Sequence, residues 1–251
     1  MTMHLTAFYE SVDQAGNDSE VAAVPDGVLF TDGDAVRVDS MVSNLLGAGA
    51  ATSAGTFDSG TVRSPSLRVR NNFPIVPLND GAGWNSPREY PLLFDTPISL
   101  NATEPVTLST DSDNASAVAI YGFTLFGSGP VIPVRNEIFS ASFTTSITAQ
   151  AGTWSVGPIT FDQRLPGGRY NVVGLRSWAT GLIFTRLRFP GQAFFPGAPA
   201  WVNQKSQGDP MFRFGNPGVL GSFDNDSPFA VEVLGGSSTT QNHVVDLVKI
   251  A

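Results

Sequence analysis

An all-β fold, organised as two tandem β-sandwich domains of similar topology, is what this 251-residue sequence predicts, and three observations carry the prediction. Its 26 glycines and 18 prolines interrupt the chain too often for long helices. Between the interruptions lie short apolar segments rich in Val, Ile, Thr, Phe and Tyr, the residue types that pack on a pleated surface. The second half also repeats landmarks of the first at a near-constant offset, and self-similarity of that kind dictates architecture.

In the first half, strands are expected at His4–Tyr9, Gly27–Phe30, Ala35–Val38, Ser66–Arg70, Tyr90–Phe94, Val106–Ser109 and Ala117–Phe126. In the second half they are expected at Phe139–Ala149, Gly152–Phe161, Gly168–Leu175, Thr180–Phe189, Met211–Phe214, Ala230–Leu234 and His243–Ile250. Tyr170–Leu175 and Ile183–Phe189 carry an apolar side chain at every second position, as a half-buried strand requires. Pro166-Gly167-Gly168 supplies positive φ for a hairpin between Phe161 and Tyr170, and Asp111-Ser112-Asp113-Asn114 offers Asx-type turn formers between two strands. A short helix is expected at Asp39–Leu46, capped by Asp39 or Ser40 and stopped by Gly47. The Gly-, Ala-, Ser- and Thr-rich stretch from Gly47 to Gly60 reads as a long mobile loop.

The repeat is read from three landmarks. SLRVRNNFPIVP around Arg68 is answered 118 residues later by TRLRFPGQAFFP around Arg186. PLLF and PISL, beginning at Pro91 and Pro97, are answered by PMFRF and PGVL, beginning at Pro210 and Pro217, at offsets of 119 and 120. Both halves close on an apolar run, Ala117–Phe126 and Val244–Ile250. The seam falls in Gly127-Ser128-Gly129-Pro130, giving a first domain of residues 1–129 and a second of residues 130–251. Seven or eight strands per half, joined by long irregular connections, fit a double jelly roll. Parallel α/β folds are excluded because no segment supplies their crossover helices.

Composition narrows function by exclusion. Cysteine is absent, which removes disulfides, thiolate metal sites and Cys nucleophiles. The formal charge of −8 argues against a sequence-blind grip on nucleic acid. No stretch of 18 apolar residues occurs, and the N-terminus MTMHLTAFYE has no secretory n- and h-regions, so assembly inside a cell or prior removal of a leader is expected. Two histidines, His4 and His243, and no GxSxG elbow leave no support for a Ser-His-Asp centre. Asp32-Gly33-Asp34, Asp111–Asn114 and Asp224-Asn225-Asp226 offer carboxylates but not the spaced calcium loop, so they read as solvated turns. Gly47-Ala48-Gly49 and Gly127-Ser128-Gly129 lack the Lys-Ser/Thr and the helix of a phosphate cradle. No catalytic residue, cofactor or metal is therefore expected.

Aromatic residues and arginines are the more telling populations. Twelve of the 14 cations are Arg, whose planar, weakly hydrated fork suits interfaces. The segment Phe189–Gly197 reads as a loop carrying large apolar side chains, buried either against its own domain or against a neighbouring subunit. Phe189, Phe194, Phe195, Arg186 and Arg188 are accordingly the candidate oligomer-interface residues.

Taken together, the Arg-Val/Leu-Arg strands followed by Pro-bounded loops, and the PLLF…PISL and PMFRF…PGVL segments, resemble the double jelly-roll major capsid proteins of tailless icosahedral viruses. The resemblance covers nearly the whole chain and is architectural. It implies a virion structural protein, assembled in the host cytoplasm, whose three copies form a pseudo-hexagonal trimer that tiles an icosahedral shell. It also implies other virion proteins and an internal membrane as partners. The chain departs from that family in lacking large tower insertions and an obvious basic or amphipathic terminal helix, the latter being the kind of segment that would contact a membrane. Two other readings stay open: a carbohydrate-binding or glycan-processing β-sandwich acting through exposed Trp and paired carboxylates, against which Trp84, Trp154, Trp178 and Trp201 are scattered along the chain, and a viral spike or attachment protein.

Overall fold

The computed structural model describes residues 2–12, 19–52, 57–70, 73–75, 93–112, 118–200 and 210–251. The protein is all-β and sandwich-like, with several antiparallel sheets. Helix among the described residues is confined to short 3-10 segments such as Ser40–Val42, Pro65–Arg70 and Pro210–Phe212, and no helix there is long and apolar enough to cross a membrane. The chain divides into two compact units, Leu5–Pro130, and Val131–Ala251 together with Met1–His4.

Strands in the first part of the chain are β1 (Met3–Val12), β2 (Ser19–Val21), β3 (Thr31–Asp32), β4 (Ala35–Arg37), β5 (Asn44–Thr52), β6 (Phe57–Arg63), β7 (Phe73–Ile75), β8 (Ile98–Ser99), β9 (Pro105–Ser112) and β10 (Val118–Gly127). One sheet has the order β1-β10-β5-β8; the other runs β3-β4-β9-β6-β7, with β2 also paired to β9. The two sheets meet through complementary side-chain volume. Leu108 on β9 fills the space that a β-carbon on Gly122 of β10 would need, its Cγ 3.4 Å from that point. Leu45, Val62, Phe123 and Leu125 complete the buried layer. The buried hydroxyls of Thr6 and Thr124 satisfy each other at 2.6 Å, as burial of polar groups demands.

The second unit holds β11 (Phe139–Thr145), β12 (Ala149–Gln150), β13 (Ser155–Pro158), β14 (Arg169–Trp178), β15 (Leu182–Arg188), β16 (Gly197–Pro199), β17 (Gly221–Asp224), β18 (Ala230–Gly235), β19 (Ser237–Ser238) and β20 (Gln241–Lys249). Its sheets run β11-β20-β14-β17 and β13-β18-β15-β16, with a small β12-β19 pair. Rings of the first of these sheets interlock edge to face with rings outside the strands, the geometry the aromatic quadrupole favours. Phe143 meets Phe161 at 5.7 Å, and Phe223 meets Phe229 at 5.2 Å.

Several local expectations are overturned. Ser66–Arg70 is not a strand but part of a 3-10 segment beginning at Pro65, whereas its supposed counterpart around Arg186 lies in β15. That landmark of the repeat therefore does not pair like with like. Met211–Phe214 likewise starts in a 3-10 turn, and Gly27–Phe30 forms no strand. The expected helix at Asp39–Leu46 stops after one turn: Asp39 caps it through the Met41 amide at 2.7 Å, and Asn44 already begins β5. Of the expected loop Gly47–Gly60, Gly47–Thr52 continues β5 and pairs with β10, and Phe57 already begins β6. The Pro166–Gly168 hairpin is absent, because Tyr170 pairs with Phe223 and Lys249 while Phe161 bridges to Phe143. Tyr90–Leu92 lies outside the described residues.

Candidate functional site

Strand β15 was expected to be half buried, yet Leu182 to Leu187 is buried on both faces. Register explains how a charge tolerates this. Arg186 lies directly opposite Glu232 of β18, and its Nε donates to Glu232 Oε2. The other carboxylate oxygen accepts from Arg188 Nη1 at 3.1 Å. The Arg186 guanidinium sits 4.0 Å from the Trp154 ring centre and 5.2 Å from that of Phe195, while Arg188 stands 4.8 Å over Phe195. Planar stacking of this kind is where guanidinium outperforms ammonium. The Arg186 side chain is wholly buried, and the Arg188 side chain is 44% exposed. Both oxygens of Glu232 are engaged by the fold's own cations, so this cluster pins β15 to β18.

The five interface candidates thus separate. Arg186, Arg188 and Phe195 come together. Phe194 and Phe195 pack on the His4 ring at 5.9 and 6.0 Å, and the Phe195 amide donates to His4 Nδ1 at 2.9 Å. Phe189 is elsewhere, 5.1 Å from Phe229 and lodged over Gly221. All three Phe side chains are buried in the chain itself, and Gly197 begins β16 rather than ending a loop. Of the two alternatives for Phe189–Gly197, packing against its own unit is the one these contacts describe.

Both histidines are buried. Thr145 donates to Gln241 Oε1 at 2.9 Å, so its oxygen accepts from His243 Nε2 at 2.9 Å, leaving Nδ1 to accept from Ser177 Oγ at 2.8 Å. Stacked 4.8 Å from Phe143, the ring is driven by burial down to a pKa of about 3 and stays neutral. Asp32-Gly33-Asp34 forms the β3–β4 turn, with Gly33 at φ +59, and Asp224–Asp226 forms another turn, closed by Ser227 donating to the Asp224 carbonyl at 2.8 Å. Asp113 and Asn114 lie outside the described residues. Among the described residues, no three His, Asp or Glu side chains converge as a metal would require.

The residues that sequence reading missed surround Phe214. Phe214 has φ +50 and is 49% exposed, an outlier for a bulky side chain. Its amide donates to Asp246 Oδ2 at 2.7 Å, and the carboxylate is fully buried. Asp246 Oδ1 accepts from Arg176 Nη2 at 2.8 Å and from Ser140 Oγ at 2.7 Å. Arg213 and Arg176 lie 4.8 and 5.4 Å from the Phe214 ring centre. Arg213 is held below the usual arginine pKa by burial first and by Arg176 second, with Asp246 opposing. Alongside runs the segment from Val131 to Arg135: the Val134 amide donates to the Gly215 carbonyl at 2.8 Å, and Arg135 Nη1 donates to Asn216 Oδ1 at 2.9 Å. Ile132 on this segment is 79% exposed. The legible signal was an aspartate inside the apolar run VVDLVKI.

Chemically, this face joins an exposed aromatic ring to guanidinium groups, an arrangement suited to an anionic, partly apolar surface. No protein-family model, curated protein or solved structure matches the chain.

Proposed function

We propose that the protein is the major capsid protein of an icosahedral virus, a double jelly roll that assembles as pseudo-hexagonal homotrimers. One observation carries the reading: the same strand order occurs twice. In β1-β10-β5-β8 and in β11-β20-β14-β17, the unit's first strand lies beside its last, then a middle strand, then a late one. The companion orders β4-β9-β6-β7 and β13-β18-β15-β16 correspond in the same way. In this reading β2, β3 and the β12-β19 pair are additions, the other eight strands of each unit correspond to a jelly roll, and two of them in one chain would let three copies imitate sixfold packing in a tiled shell.

In this reading the chain works through its surfaces in the virion, with no catalytic step or cofactor. Its partners are further copies and other virion proteins, with an internal membrane as a further candidate. Sedimentation and negative-stain imaging of the purified protein test it. Trimers, or closed shells built from them, are the expected species. A chain that stays monomeric at all concentrations overturns the proposal.

A further inference from the structure

The charge of the chain is divided unevenly. Leu5–Pro130 carries fifteen Asp and Glu against five Arg, a formal −10, whereas Val131–Ala251 carries seven against nine Lys and Arg, a formal +2, together giving the −8 of the whole chain. We infer that the face formed by Ile132, Arg135, Arg176, Arg213 and Phe214 is a docking surface for a second copy of this chain, which presents its acidic Leu5–Pro130 unit.

Three observations support the assignment. First, the fold holds Phe214 at φ +50, with its amide tied to the buried Asp246 carboxylate, and so keeps an apolar ring at the surface in an unfavourable conformation. Strain maintained by a surrounding network is the mark of a working position. Second, guanidinium groups flank that ring, and Arg135 is exposed beside it. Third, the acidic unit offers a complementary element in the turn between β3 and β4. Phe30 is 68% exposed next to it, and the Asp32 side chain, which lies 3.7 Å from Arg37 Nη2, is 65% exposed. Asp34 is exposed there and lies near enough to Glu10 to raise that carboxyl, after the larger effect of burial. A partner's guanidinium would relieve this crowding of like charge. Because screening confines exposed charges to roughly 8 Å at physiological salt, close docking is needed for the asymmetry to act. Pairing unlike faces gives a heterologous contact, which closes into rings or extends into larger assemblies; two acidic faces would repel.

The inference rests on the capsid reading for its biological setting but not for its test. Full-length protein carrying Phe214→Gly is the first variant, since glycine relieves the positive φ. Its thermal midpoint should hold or rise, while self-association by sedimentation weakens about tenfold or more. Arg135→Glu should weaken association similarly, and adding Asp34→Lys should restore most of it. Undiminished association of Phe214→Gly overturns the inference, as does a charge-reversed pair whose losses simply add. Retention on anionic vesicles or on an oligonucleotide, lost with the same substitutions while self-association is kept, also overturns it. Shells that form normally from both variants remove this inference and leave the capsid reading. Salt-sensitive complexes that the variants dissolve, without any trimer or shell, do the reverse.

Discussion

Asp246 on β20 lies opposite Gly174 on β14, and its carboxylate fills the space where a β-carbon on residue 174 would stand. The ladder slips in register between Val172 and Gly174, so one glycine accommodates both a bulge and a buried charge. From that position Asp246 ties together Arg176, Ser140 and the Phe214 amide.

Gly174→Ala should therefore destabilise the protein by about 1–3 kcal/mol, the usual cost of forcing atoms into a packed site. Thermal unfolding checks this, and hydrogen exchange at the Phe214 amide should rise in the same variant. Unchanged exchange would mean that Asp246 does not depend on the vacant space.

The buried pair on β15 and β18 gives a sharper case. Arg186→Met leaves the buried Glu232 carboxylate to Arg188, and should cost about 3 kcal/mol, since a buried charge losing a partner is strongly destabilising. Arg186→Met with Glu232→Leu should recover much of the loss, because apolar replacement of a whole buried pair is often close to neutral. Urea unfolding of the two single variants and the double variant measures the coupling; strictly additive losses would show that the pair is not coupled.

These two sites show what was legible in the sequence and what was not. Glu232 in AVEVLG and Asp246 in VVDLVKI are charges set inside apolar strands, and such charges announce a partner without naming it. The partners come from register: Arg186 is 46 residues away and Arg176 is 70. Strands with β-branched and aromatic residues, such as β10 and β20, were readable from local pattern. Strand β5 was not, because its Gly-Ala-Gly-Ala core has no strand signature. What covers the Phe189–Gly197 segment was left open by the sequence because His4 lies 191 residues from Phe195.

That burial changes the expected outcome for the Phe-Phe pair. Phe194→Ala and Phe195→Ala should each cost about 3–5 kcal/mol of folding stability, as truncated core aromatics do, rather than selectively weaken assembly. Thermal midpoints of the monomeric protein in dilute solution test this. A loss confined to association would return these rings to an interface role.

His243 predicts a pH window. Its pKa is about 3 in the folded protein and near 6.5 when unfolded. Below 6.5 the unfolded chain takes up a proton that the native ring refuses. Stability from this group is thus complete above about pH 6.5 and falls by up to about 1.4 kcal/mol per pH unit toward pH 3. Two carboxylates bear on the same range with opposite signs. Burial pushes Glu104 upward, but hydrogen bonds from Ser64, Ser66 and Asn101 outweigh it and leave the carboxyl below its ordinary value, so its contribution is lost only below about pH 4.5. Glu10, raised by burial and then by Asp34, binds its proton more readily when folded and adds stability as pH falls toward its ordinary value. The diagnostic is therefore a difference: urea unfolding of wild type and His243→Gln between pH 7 and pH 5. Wild type should lose stability across that interval, and the variant should lose distinctly less. Parallel profiles would show that the buried ring takes no part in the acid response.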